Sequence, residues 1–173
     1  MVIAAGINGV GVIPLYSSKD FITWDYEGEI WNSEEDWIKG VKMIECPDLF
    51  KLPGTDLYAL KYSLEVTLLL CCGASETSSS YSSIICFVFA CSLKQTAPYT
   101  GLELYELGKY TQRQFVRDRS LHRGLLDYGH LYASKTFWDD KTGNRVLWGW
   151  SSEEDQYGAD RGWQGIMALP RKV

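Results

Sequence analysis

Met1-Val2-Ile3-Ala4-Ala5-Gly6-Ile7-Asn8-Gly9-Val10-Gly11-Val12-Ile13-Pro14-Leu15-Tyr16 opens the chain and decides its fold class. Two apolar runs flank an Asn-Gly pair. That dipeptide best tolerates the two positive-φ residues of a tight antiparallel turn, so the stretch predicts a strand from Met1 to Ile7, a turn, and a strand from Val10 to Tyr16. The pattern continues outward. Ser17-Ser18-Lys19-Asp20 turns the chain into a short strand, Phe21 to Trp24, and Asp25 to Lys39 reads as an acidic loop carrying Glu27, Glu29, Glu34, Glu35 and Asp36. Leu49 to Leu52 is strand-like, Pro53-Gly54-Thr55-Asp56 is a turn, and Leu57 to Leu64 alternates as a strand does.

The same rhythm returns in the second half. Leu104 to Tyr110, Gln114 to Val116, Leu131 to Trp138, Arg145 to Trp150 and Gly165 to Leu169 read as strands, with Asp139 to Asn144 a hairpin connection. Strands recurring about every ten residues, without long helical periodicity, predict an all-β domain: sandwich, barrel or propeller.

Residues 66 to 98 break this rhythm. Val66 to Cys72 and Ile84 to Cys91 are apolar, and Ser75 to Ser83 between them is Ser-rich. Neither apolar run approaches the roughly eighteen residues of a membrane helix, so no membrane partner is expected. The stretch reads either as an insertion foreign to its flanks or as two buried strands joined by a Ser-rich loop.

The aromatic share is 14%, with 7 Trp and 11 Tyr, and such a load builds strand cores as well as the ring-stacking walls of sugar clefts. A net charge of -5 argues against a nucleic-acid partner, which would need clustered Lys and Arg. The five cysteines, Cys46, Cys71, Cys72, Cys86 and Cys91, are odd in number and include no CxxC pair with accompanying His, so neither a metal site nor a complete disulfide framework is indicated.

Glu45-Cys46-Pro47-Asp48 is the stretch richest in chemistry. Glu45 follows the apolar Met43 and Ile44, has a thiol beside it, and has a second carboxylate three residues on. Apolar, acidic surroundings are what a carboxyl group needs to stay protonated near working pH and serve as a proton donor.

Ile44-Glu45-Cys46-Pro47-Asp48-Leu49-Phe50 resembles the Trp-Glu-Cys-Pro-Asp-Phe-Phe motif of glycoside hydrolase family 32, the invertases, fructan exohydrolases and plant fructosyltransferases. Further stretches resemble that family in its own order: Tyr16 to Trp24, Glu103 to Tyr110, Asp127 to Phe137, Arg145 to Trp150, and Gly162 to Ile166 with Leu169-Pro170-Arg171. Only residues 66 to 98 fall outside the resemblance.

The resemblance implies that residues 1–173 are about three blades of a five-bladed catalytic β-propeller, without the C-terminal β-sandwich, and that 66–98 is an insertion splitting a blade and opposing its closure. It implies cleavage or transfer of β-fructofuranosyl units with retention, on a small sugar such as sucrose or a fructan, with no metal or cofactor. By matching position Glu45 would be the general acid/base. Cys46 would sit beside it and Asp48 would be a supporting polar group, while Tyr132 would orient the acid/base or the fructosyl ring. Ile44, where the family has Trp, would remove a pocket aromatic.

The family's nucleophile lies in Asn-Asp-Pro-Asn-Gly and its transition-state stabiliser in Arg-Asp-Pro. Neither motif occurs in these 173 residues. The expectation is that both precede Met1 in a longer protein, that relatives of full length are secreted or vacuolar, and that this chain alone is nearly inert. Alternatives are a fructosyltransferase of the same family, or a non-catalytic carbohydrate-binding propeller.

Overall fold

The computed structural model describes residues 1–35, 41–66, 100–151 and 162–173. Over these residues the fold is all-β, in three antiparallel sheets packed in succession as propeller blades. The first sheet holds β1 (Ala5–Ile7), β2 (Val10–Ser17) and β3 (Asp25–Asn32). The second holds β4 (Glu45–Lys51), β5 (Tyr58–Val66), β6 (Thr100–Thr111) and β7 (Gln114–Arg117) in that order, with the short β8 (Gly124–Leu125) also paired to β6. The third is built on β9 (Leu131–Asp139) and β10 (Asn144–Ser151), to which β11 (Ile166–Met167) and β12 (Arg171–Lys172) add two residues each.

The Asn-Gly hairpin forms as its sequence predicts. Ile7 pairs with Val10, and Asn8 and Gly9 take φ of 53° and 81°, the left-handed pair that a two-residue turn requires. Phe21 to Trp24, by contrast, is a turn and not a strand. Asp20 draws the backbone round itself: its Oδ1 accepts the amides of Ile22 and Thr23 at 2.9 and 2.8 Å, and its Oδ2 accepts the Thr23 hydroxyl at 2.6 Å. These bonds, that from the Thr23 hydroxyl foremost, hold the Asp20 carboxyl well below the usual carboxylate range. The backbone amides that a strand would offer to a ladder are spent locally.

The acidic stretch after it, expected as a loop from Asp25 to Lys39, is a strand and a turn as far as Glu35, and its last residues, 36 to 39, lie outside the described residues. Asp25 to Asn32 is β3, and Ser33–Glu35 a 3-10 turn. Ile30 and Trp31 are buried, while Glu27 is taken up by the Ser17 hydroxyl at 2.5 Å and by an ion pair with Arg113. Acidic side chains at a strand's polar positions hide a strand from a reading based on charge. Ser33 is wholly buried and ties the chain's return: its Oγ accepts the Gly11 amide and donates to the Val41 carbonyl at 2.7 Å.

The second sheet is continuous across the stretch that interrupts the sequence rhythm. β5 and β6 pair in unbroken register from Tyr58↔Gly108 to Val66↔Thr100. The expected failure of this blade to close is thus corrected: the ladder holds to its last pair because both strands carry their own complementary alternation. Apart from Val66, the stretch 66–98 and its four cysteines lie outside the described residues. The closing strand expected over Gly165 to Leu169 is shortened to Ile166–Met167, β11, and β12 follows only after Pro170, which has no amide to give a ladder.

The core lies between the first and second sheets: Ile13, Ile30 and Trp31 pack against Ile44, Leu60, Tyr62, Leu64, Leu104 and Phe115. Ile44 is fully buried here and fills core volume.

Candidate active site

Strand alternation divides β5 between two neighbours. Leu60, Tyr62 and Leu64 join the apolar core, so Lys61 and Ser63 project from the opposite face, toward β9. Glu45 pairs with Ser63, and Asp48 pairs with Lys61, so both carboxylates belong to this second face. Residues three apart on a regular strand would face opposite ways. They share a face because Cys46 and Pro47 together oppose one residue of β5, a β-bulge in which Cys46 takes φ of 45°.

The facing strand has the same device. Between Tyr132↔Trp150 and Lys135↔Trp148 the register of β9 and β10 shifts, and Ala133 takes φ of 51°. Two bulges thus face each other across the second and third sheets, each with a left-handed, non-glycine residue directly after the side chain it aims. Tyr132 Oη donates to Glu45 Oε2 at 2.5 Å across 87 residues of sequence. Both side chains are half-buried. Among the described residues the Glu45 carboxyl takes this one hydrogen bond, at Oε2. The Tyr132 ring lies directly over Gly101: a Cβ there would stand 2.2 Å from its Cδ2, so only glycine admits the ring.

Asp48 is bound into the same seam. Its Oδ2 accepts the Thr136 amide at 2.7 Å and the Thr136 hydroxyl at 2.5 Å, while Arg145 donates to that hydroxyl at 2.9 Å. Lys135 Nζ donates to the Pro47 carbonyl at 2.6 Å. Cys46 is half-buried with a free thiol. The four residues singled out in the sequence are therefore brought together, Glu45 and Tyr132 by a direct bond, Cys46 by adjacency and Asp48 on the same face.

Beneath them lies a buried polar cluster that sequence reasoning did not single out. Lys61 Nζ stands 3.2 Å from Glu103 Oε2, both side chains being at most 2% exposed. Glu103 Oε1 accepts the Ser63 hydroxyl at 2.5 Å and the Ser134 amide at 2.9 Å; Oε2 accepts the Ser134 hydroxyl at 2.7 Å. Burial pulls the Lys61 ammonium below its ordinary pKa, against the opposing pull of Glu103. The available signal was a lysine flanked by Leu60 and Tyr62 in a strand whose even-numbered positions are core, with an equally hemmed Glu103 between Leu102 and Leu104.

A shallow surface groove of about 540 Å³ is lined by Lys51 to Asp56 and Trp138, at the far end of β4 from Glu45. What marks the site is the convergence of polar groups.

Fold and site together define a class: a β-propeller domain that presents a bulge-mounted carboxyl group to a tyrosine of the adjacent blade. The family profile "Glycosyl hydrolases family 32 N-terminal domain" matches residues 1–173, and the chain belongs to that family. It is 32% identical over 183 aligned residues to a fructan 6-exohydrolase of Triticum aestivum, covering 97% of this chain and 27% of that protein. It is 31% identical to an insoluble beta-fructofuranosidase isoenzyme 1 of Daucus carota, covering 100% of this chain and 26% of that one. The chain thus spans about a quarter of these curated relatives. Among solved structures, a mutant of the Bombyx mori GH32 beta-fructofuranosidase in complex with sucrose superposes with a TM-score of 0.67 at 27% identity, over 99% of this chain and 31% of that one. The fructan 1-exohydrolase IIa of Cichorium intybus shares the fold, with a TM-score of 0.67 at 22% identity over 99% of this chain and 29% of that one.

Proposed function

We propose that this chain supplies the acid/base half of a site that cleaves β-fructofuranosides, sucrose or fructans, with retention. The observation that carries the reading is the Glu45 carboxyl group, set apart from its strand by a bulge and held at 2.5 Å by the Tyr132 hydroxyl of the next sheet. The names of the wheat relative and of the silkworm structure support the substrate class.

In this mechanism Glu45 protonates the glycosidic oxygen as the bond to the anomeric carbon breaks. A second carboxylate attacks that carbon from the opposite side, and Glu45 then takes a proton from the water that releases the sugar. Tyr132 fixes the orientation of Glu45, and Asp48 holds the kinked segment to β9 through Thr136. Cys46 lies beside the acid. No metal or cofactor enters these steps. Residues 1–173 form part of the catalytic propeller, with 66–98 an insertion at the end of the β5–β6 hairpin. A carbohydrate-binding propeller without catalysis is a second reading, and the presence or absence of Asn-Asp-Pro-Asn-Gly and Arg-Asp-Pro in the full-length protein separates the two. On either reading the chain alone is nearly inert, since no retaining intermediate forms without a nucleophile.

The test is a chimaera in which residues 1–173 replace the matching stretch of the wheat fructan 6-exohydrolase, assayed for fructose release from fructan and sucrose. Glu45→Gln is expected to lower kcat by about 10²- to 10⁴-fold, the usual worth of a general acid/base. An active chimaera indifferent to Glu45→Gln would falsify the assignment. An inactive chimaera that still binds sugar would select the second reading.

A further inference from the structure

The two bulges that aim Glu45 and Tyr132 leave backbone groups out of the ladder, and those groups need partners of their own. Lys61 supplies them on both sides. Its ammonium donates to the carbonyl of Cys46 at 3.1 Å, the left-handed residue of the β4 bulge, and to the carbonyl of Ser134, next to the left-handed residue of the β9 bulge. Glu103 completes the tie by accepting the Ser134 amide and hydroxyl while holding Lys61 and Ser63. One buried ion pair thus bonds to the backbone of two sheets, at the residue following Glu45 and the second residue after Tyr132.

We infer that Lys61 and Glu103 are positioning residues: a brace between the two bulges that sets the distance from the acid/base carboxyl to the tyrosine hydroxyl. A buried ion pair adds little net stability over apolar side chains of equal volume. What apolar side chains lack is directed bonds, and an ammonium offers three donors while a carboxylate accepts at both oxygens. The inference rests on the proposed role of Glu45, and its test is separable from that role.

The full 173-residue chain, labelled with ¹³C at the tyrosine ring carbon bearing the hydroxyl, gives the direct readout. Tyr62 is the internal reference, since its hydroxyl bonds Glu106 at 2.5 Å on the other face of the sheet. In Lys61→Met the Tyr132 resonance is expected to move to the position it takes in Glu45→Ala, with that of Tyr62 unmoved. A Tyr132 resonance that stays in place while Tyr62 reports an intact fold overturns the brace. Should Lys61→Met lose the Tyr62 resonance as well, the double variant Lys61→Met with Glu103→Gln, which buries no lone charge, and the milder Ser134→Ala are read by the same criteria.

Kinetics in the chimaera add a second arm. The double variant is expected to lower kcat about a hundredfold with little change in KM, the scale of an ångström's misplacement. Tyr132→Phe added to it should then cost nothing more. If Tyr132→Phe lowers kcat by the same factor in both backgrounds, the brace does not act through this pair. Indifference of kcat to Glu45→Gln removes the acid/base reading instead, and leaves the resonance result standing.

Discussion

The two faces of the second sheet are built from opposite materials. Toward the first sheet, Leu60, Tyr62, Leu64 and Leu104 join Ile13, Ile30 and Trp31 in an apolar core. Toward the third, Lys61, Ser63, Glu103 and Asp48 meet Ser134 and Thr136 in a seam of directed polar bonds. The apolar face gains from area and tolerates small shifts. The polar seam gains little from area and demands fixed geometry, since a buried polar group without its partner costs more than the bond returns when made. The site lies on the second kind of face. The contrast teaches that one blade contact supplies cohesion, and the other registers two side chains against each other.

The sharpest way to break this contrast is to remove one charge. Lys61→Ala leaves Glu103 buried without its cation and should cost about 3–5 kcal/mol in urea unfolding, with Lys61→Met plus Glu103→Leu recovering most of the loss. If the double variant loses as much as the two single losses together, the seam is not an ion pair in the energetic sense. Leu60→Ala on the opposite face removes apolar volume only and should cost about 2–4 kcal/mol, leaving the Tyr132 resonance untouched. Gly101→Ala probes the seam by volume: the new methyl meets the Tyr132 ring and should cost about 1–3 kcal/mol while displacing that ring, a pairing of effects that Leu60→Ala lacks.

The smallest effect concerns pH. Burial tends to raise the Asp127 pKa, but the hydrogen bond from Arg171 at 2.5 Å, the Gly129 amide and the Arg171 charge outweigh it and hold the carboxyl below its ordinary range. A depressed folded-state pKa contributes stability that is complete above the unfolded value near pH 4 and is lost as pH falls through the folded one. Amide exchange at Val173, which donates to the Arg145 carbonyl at 3.0 Å, should therefore accelerate below about pH 4. In Asp127→Asn it should be fast at every pH. Equal acceleration in both forms would show that β12 is held by its ladder alone.

Much of this was legible in the sequence, for reasons that differ by region. Asn8-Gly9 betrayed its hairpin because few dipeptides accept two left-handed residues, and the alternation from Leu57 to Leu64 marked β5 together with its two unlike faces. β3 was hidden because Glu27 and Glu29 occupy a strand's polar positions, and charge reads as loop. Phe21 to Trp24 misled in the other direction: apolar residues suggested a strand, yet Asp20 and Ser18 capture their amides. Family likeness pointed to Glu45, Cys46, Asp48 and Tyr132, but not to how Glu45 and Asp48 come to share a face. That depends on left-handed Cys46, which no propensity announces because the conformation is imposed by tertiary bonds to its carbonyl. Lys61 and Glu103 are silent in the sequence because lysine and glutamate are ordinarily solvated, and only the packing of the second sheet on the third makes them dry.

The unbroken β5–β6 ladder carries one more consequence. Because pairing persists to Val66↔Thr100, the length of chain joining those two residues sets the entropy of bringing the ends of the ladder together. That entropy grows logarithmically, by about 0.6 kcal/mol for each doubling of length. As far as closure entropy goes, a longer or shorter connection between Val66 and Thr100 therefore changes the stability of this ladder only slightly.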